Sequence, residues 1–176
     1  MKKPIILKGR AVVVRDKKGK AIDDIDTDMI FHNKYLHIVD INEMGQYAFD
    51  NLDGWKDFAS KAQKDDILVL GANFGSGSSR QQAVDCFTAL GVQILVAKSY
   101  GAIYKRNAIN AGMPLLVSNL IDDAAFVETG DQLEINLESG LIKNLTKQKE
   151  IQTQGMSKVQ MDIYQAGSLF DYAKDL

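Results

Sequence analysis

The sequence predicts an α/β fold, with a parallel strand–helix core and an appended β-hairpin and C-terminal helix. Two patterns carry this. Between residues 66 and 117, short apolar runs alternate with amphipathic stretches in the order strand, helix, strand, helix, strand, which implies right-handed crossovers in a parallel sheet. Further on, DQLEINLESGLIKNL divides into two alternating runs about a Ser139–Gly140 turn, a hairpin signal. At 176 residues and 45% hydrophobic composition the chain can bury one sizeable core, and no repeat, low-complexity tract or linker divides it, so residues 1–176 are expected to form one domain.

In chain order, IILKGRAVVVRD alternates enough for a strand, and the KKGK that follows is a turn. AIDDIDTDMIF is expected to be a loop or irregular edge: Asp23, Asp24, Asp26 and Asp28 repel one another, and aspartate favours caps and turns. Tyr47, Phe49, Leu52, Trp55 and Phe58 recur at roughly helical intervals, which suggests one or two short helices broken near Gly54. ILVLG is a buried strand, ANFGSGS a glycine-rich loop, and SSRQQAVDCFTALG a helix ending on Gly91. VQILVAKS is a second strand, YGAIYKRNAINAG a helix closed by Gly112, and MPLLVS a third strand. A last helix is expected from about Ser157 to Ala173.

Composition narrows the function. With 21 Lys and Arg against 23 Asp and Glu, the net charge of −2 provides no basic field for a phosphate backbone, so no nucleic-acid partner is expected. Lys8 and Arg10 interrupt the first apolar run before it reaches signal-peptide length, and no stretch approaches the roughly 20 apolar residues that span a bilayer. A soluble, cytoplasmic protein without membrane contact is expected. The single cysteine, Cys86, cannot supply the several thiolates of a zinc or iron–sulfur site, and its apolar setting marks it as a small buried hydrophobe. No metal ligand is assigned.

The most informative stretch is GANFGSGSSRQQA, residues 71–83, which joins a buried strand to a helix. If Ser78, Ser79 and Arg80 open that helix, unpaired N–H groups and the helix dipole favour a carboxylate or phosphate there. Gly71, Gly75 and Gly77 let the backbone turn and approach a ligand closely. A Walker A loop would need a lysine after the last glycine, and a Rossmann fingerprint a glycine where Arg80 stands. A tight turn with serine as the helix N-cap is the structural alternative, and it leaves Arg80 unexplained.

GSGSSR in a strand-to-helix loop resembles the active-site signature of the swivelling domain of aconitases and isopropylmalate dehydratases. DIDTDMIFHNKYL (residues 24–36) resembles an early pattern of that family, and SYGAIYKRNAINAGMPLL (residues 99–116) resembles its helix with an arginine–asparagine pair and glycine stop. The resemblance covers most of residues 10–116 and implies an aconitase-type swivelling domain, three-layered β/β/α. It also implies the small subunit of a hydro-lyase that moves a hydroxyl between neighbouring carbons by dehydration and rehydration, of the kind acting in leucine biosynthesis. A separate large subunit would carry a [4Fe–4S] cluster, the substrate would be a small di- or tricarboxylic hydroxy acid, and this chain would hold no cofactor.

Carried over by position, the resemblance makes Ser78 the base, Ser79 and Arg80 carboxylate ligands, Asp26 and Thr27 cleft residues, and Gly75 and Gly77 the loop backbone. Thr27 or Asp28 capping a helix or bonding into a loop is an equally good reading. Arg106 and Asn107 match the family helix, but stand equally well as solvated or structural residues and are given no role. Two departures stand out. Gln81 and Gln82 occupy positions where the family loop has glutamate and histidine, and His37 stands where an arginine is common in the loop that reads the substrate's side group. His37 is carried as a substrate-binding candidate beside the alternative of a surface histidine without a role.

Isopropylmalate is the leading substrate, with homoaconitate, citrate or 2,3-dimethylmalate as alternatives for the same mechanism. A non-catalytic nucleotide- or phosphate-binding module is the reading from another class. The isolated subunit is expected to be inactive and open to self-association through apolar surface meant for its partner, the hairpin and terminal helix beyond residue 130 being candidates for that surface.

Overall fold

The computed structural model describes Met1–Leu176. Its frame is a seven-stranded mixed sheet in the order β4-β3-β2-β1-β5-β6-β7. Strands β1 (Ile6–Val13), β2 (Ile67–Leu70), β3 (Ile94–Ala97) and β4 (Leu115–Val117) run parallel, as the alternating pattern requires. β5 (Gln132–Asn136) pairs antiparallel with β1, and β6 (Leu141–Asn144) and β7 (Lys149–Gln152) continue outward. Gly140, at φ 79°, makes the expected hairpin turn.

The parallel strands are apolar on both faces because both are covered. On one side Val12, Leu68, Leu70, Leu95 and Leu115 pack against the helical layer. That layer holds short helices α1 (Thr27–Ile30), α2 (Ile41–Met44) and α3 (Phe58–Lys61), and the crossovers α4 (Gln82–Ala89) and α5 (Ala102–Asn110). On the other side Ala11, Val13, Ile67, Val69, Ile94 and Val96 share a core with Leu133, Ile135 and Ile142 of the antiparallel half. The sheet therefore curls over itself, giving the three-layer β/β/α arrangement. No helix is long and apolar enough to cross a membrane.

Three local expectations change, and one strand is added. The helix after the glycine loop begins at Gln82, so Ser78, Ser79 and Arg80 lie in the loop before it; Gln81 is its N-cap and gives no side-chain bond, so neither serine caps it. The terminal helix is two, α6 (Lys158–Ala166) and α7 (Leu169–Lys174), broken at Gly167 with φ 105°. β7 carries no apolar alternation in its sequence, and it is an exposed edge strand paired through its backbone. In the acidic stretch the helix cap is Asp26, whose carboxylate accepts from Met29 N at 2.8 Å, rather than Thr27 or Asp28. Cys86 is fully buried, and burial pushes its thiol far above the ordinary range.

Candidate active site

Three connections meet at the carboxyl ends of the parallel strands, where open α/β sheets place their ligands. Residues 71–77 run as an irregular rung between the other two. On one side Gly75 N donates to Ile25 O (2.7 Å) and Thr27 N to Ser76 O (2.9 Å). On the other, Phe74 N donates to Ser99 O (3.0 Å) and Gly101 N to Phe74 O (2.9 Å). Two of the glycines serve this packing rather than a ligand. A Cβ on Gly71 would stand 2.5 Å from Ile22 O, and one on Gly75 would collide with the Tyr104 ring. Gly77 differs: at φ 95° its nearest neighbour would be Thr27 Oγ1 at 3.6 Å, so it turns the chain beside open space.

Beyond that turn the backbone is left unsatisfied. Ser76 is bridged to Asp26, and from Gly77 through Gln82 no N–H donates to any group in the chain. Successive free donors in an exposed loop form an anion cradle, and this one does not depend on the helix dipole alone. Gly77, Ser78 and Ser79 are exposed. The Ser78 hydroxyl has no partner within the chain, while Ser79 Oγ accepts from Asn107 Nδ2 of α5 at 3.1 Å.

Arg80 is drawn the other way. Its Nη1 donates to Asp28 Oδ1 (3.0 Å) and to Phe31 O (2.7 Å), and its side chain is only 11% exposed. Nε and Nη2 bond to nothing in the chain, so one two-pronged edge of the guanidinium remains for a carboxylate. Asp28 is the hub of this latch: it also accepts from Asn33 N at 2.8 Å and Asn51 Nδ2 at 3.2 Å. Burial pushes its carboxyl up, but the Asn33 N–H and Arg80 outweigh that and hold it below the usual carboxylate range.

Asp26, Thr27, Gly75, Gly77, Ser78, Ser79 and Arg80 thus lie together. Thr27 is buried at the base of the loop, and Asp26 acts through its cap. His37 stands apart, exposed and unbonded, in a segment with exposed Leu36, Val39 and Ile41. Gln82 links that segment to the loop, its Nε2 donating to Leu36 O at 3.3 Å, while Gln81 bonds Asp85. Sequence reasoning left out Asp28 and Asn107. Both fall inside the quoted motifs, but nothing in spacing pairs them with Arg80 or Ser79, 52 and 28 residues away.

No three His, Cys, Asp or Glu side chains gather where a metal could be held, and the one thiol is sealed in the core, so this chain's donors do not fit an iron–sulfur cluster. Residues 17–120 match the family model described as the aconitase C-terminal domain. The fold and loop therefore define an aconitase-type swivelling domain. A 3-isopropylmalate dehydratase crystal structure from Methanocaldococcus jannaschii aligns with a TM-score of 0.85 at 35% identity, covering 97% of this chain and 94% of that one. The 3-isopropylmalate dehydratase small subunit of Caldicellulosiruptor bescii is 41% identical over 163 residues, 93% of this chain and 96% of the relative. That of Pyrobaculum calidifontis is 40% identical over 171 residues, 97% and 99% of the two. The chain belongs to the family of 3-isopropylmalate dehydratase small subunits.

Proposed function

We propose that this chain, acting as one swivelling-type domain in the cytoplasm, is the substrate-binding subunit of a hydro-lyase that isomerises 2-isopropylmalate to 3-isopropylmalate in leucine biosynthesis. The observation that carries this reading is the run of unpaired N–H donors from Gly77 to Gln82, with a free hydroxyl at Ser78 and a fixed guanidinium at Arg80. Such a loop accepts a carboxylate. Arg80 offers its Nε–Nη2 edge, and Ser79 and the loop N–H groups complete the contact.

Removing a proton from carbon next to a carboxylate moves charge onto the carboxylate oxygens, so donors fixed there stabilise the transition state more than the ground state. Ser78 stands in the same cradle as the base. A serine ionises only where several N–H groups and a cation favour the alkoxide in a dry site, and the partner would complete that exclusion of water. Both requirements find donors here, since the loop carries the N–H groups and Arg80 the charge. Asp26 and Thr27 hold the floor of the cleft, Gly75 and Gly77 shape the backbone, and His37, apart from the loop but in the segment that Gln82 ties to it, is the candidate reader of the substrate's variable group. A [4Fe–4S] cluster on a large partner subunit supplies the Lewis acid for the leaving hydroxyl.

The test is anaerobic assembly with the large subunit, followed by dehydration assays on 2-isopropylmalate, homocitrate, citrate and 2,3-dimethylmalate. Preference for 2-isopropylmalate is expected. Preference for another acid changes the substrate, with the His37 segment as its reader, while keeping the chemistry; tight nucleotide binding by the chain without turnover overturns the reading.

A further inference from the structure

Helix α5 braces the loop from one side. Gly101 N bonds Phe74 O (2.9 Å), the Tyr104 ring fills the space that a Cβ on Gly75 would take, and Tyr104 Oη donates to Ala83 O at 2.9 Å. Asn107 lies three residues beyond Tyr104, one turn further along the same helix face, and there its Nδ2 meets Ser79 Oγ at 3.1 Å. Its neighbour Arg106 is exposed and makes no such contact. Asp28 and Phe31 hold Arg80 from the opposite side, so the two carboxylate-binding candidates are fixed by different elements while the adjacent Ser78 stays free.

A serine hydroxyl has one proton to donate and two lone pairs. An amide N–H on one lone pair turns the oxygen toward α5 and leaves the O–H to be donated elsewhere. No acceptor within the chain takes it, and Ser79 is exposed. We infer that Asn107 is a positioning residue that fixes the polarity of Ser79, keeping its hydroxyl a donor toward a substrate carboxylate. The inference rests on the proposed reading of Ser79 and Arg80 as carboxylate ligands.

Two substitutions separate polarity from bracing. Asn107→Ala removes the amide. Asn107→Asp keeps its size but becomes an acceptor, capturing the Ser79 proton and adding a negative charge near the substrate. In the assembled complex the KM for 2-isopropylmalate is expected to rise about tenfold for Asn107→Ala and about a hundredfold for Asn107→Asp, with kcat changing about threefold or less.

A residue that only braces α5 gives the opposite order, because Asp still bridges to Ser79 and Ala does not. An Asp variant as good as or better than the Ala variant, or a loss confined to kcat, overturns the inference. Should the Asp variant fail to assemble, the Ser79→Ala background decides. There Asn107→Ala should leave KM unchanged, and a further rise in KM overturns the inference. A wild-type complex run alongside keeps the two levels apart. If it turns over no hydroxy acid, the functional reading fails; if it is active and the variants behave as braces, only the role of Asn107 fails.

Discussion

Replacing Gly75 by alanine adds a methyl group 2.5 Å from Tyr104 Cβ and closer still to the ring carbon Cγ, at a backbone φ of 79°. Tyr104 cannot swing clear, because it is 1% exposed and its hydroxyl is tied to Ala83 O. The left-handed conformation costs a non-glycine residue about 1–2 kcal/mol. Reduced freedom of the unfolded chain returns about 0.4–1 kcal/mol, and overpacking costs about 1–3 kcal/mol more. Together these give a loss of about 1–5 kcal/mol for Gly75→Ala, centred on about 3 kcal/mol. Gly77→Ala at φ 95° meets nothing nearer than 3.6 Å and bears only the conformational part, a net loss of about 1 kcal/mol. Urea unfolding of the two variants against the parent chain measures both. Equal losses would show that α5 does not press on the loop through Gly75, and would refute this picture of how the loop is braced.

Asp28→Asn should raise the KM for 2-isopropylmalate about tenfold with a smaller change in kcat, since Arg80 loses its charged anchor; steady-state kinetics of the complex check this. A carboxyl held low in the folded chain contributes stability that is complete above its unfolded pKa, about 3.9, and is lost as pH falls through the lower folded value. Substrate affinity should therefore show no titration from Asp28 between about pH 5 and 8, which a pH series comparing Asp28→Asn with the parent tests. Asp66, with 0% exposure, receives Arg10 Nε at 3.0 Å and Nη2 at 2.9 Å; Asp66→Ala leaves the quarter-exposed guanidinium only Lys61 O at 3.2 Å and should cost about 1.5–3 kcal/mol in denaturant unfolding. Because burial raises the Cys86 thiol, it should resist iodoacetamide in the native chain at about pH 8 and react fully once unfolded; thiol titration with and without denaturant reads the difference.

The parallel core was legible because ILVL and ILVA are buried on both faces and so read as continuous apolar runs between helices of 3.6 period. β7 was not, because KEIQ lies at an exposed edge where backbone pairing, not side-chain burial, fixes the strand. Helical periodicity runs on through Gly167, which hid the break that its positive φ makes. At the site, the residue types of the glycine–serine loop were informative but their setting was not. Ser78–Arg80 looked like a first helical turn, whereas the turn at Gly77 and the pulls of Asp28 and Asn107 keep them in an open loop. Asp28 as anchor of Arg80 and Asn107 as neighbour of Ser79 depend on how three connections meet, which local spacing does not carry; the Asp26 cap is local, but several nearby residues could equally have made it.

The central claim is that the loop from Ser76 to Gln82 binds the substrate and that Ser78 removes its proton. The most direct measurement is the turnover of 2-isopropylmalate by Ser78→Ala assembled with the large subunit, with KM determined alongside. A fall in kcat of about a thousandfold or more with KM little changed is expected, because the cradle and Arg80 remain while the base is gone. Turnover within about tenfold of the parent complex would contradict the claim and move the base to another group.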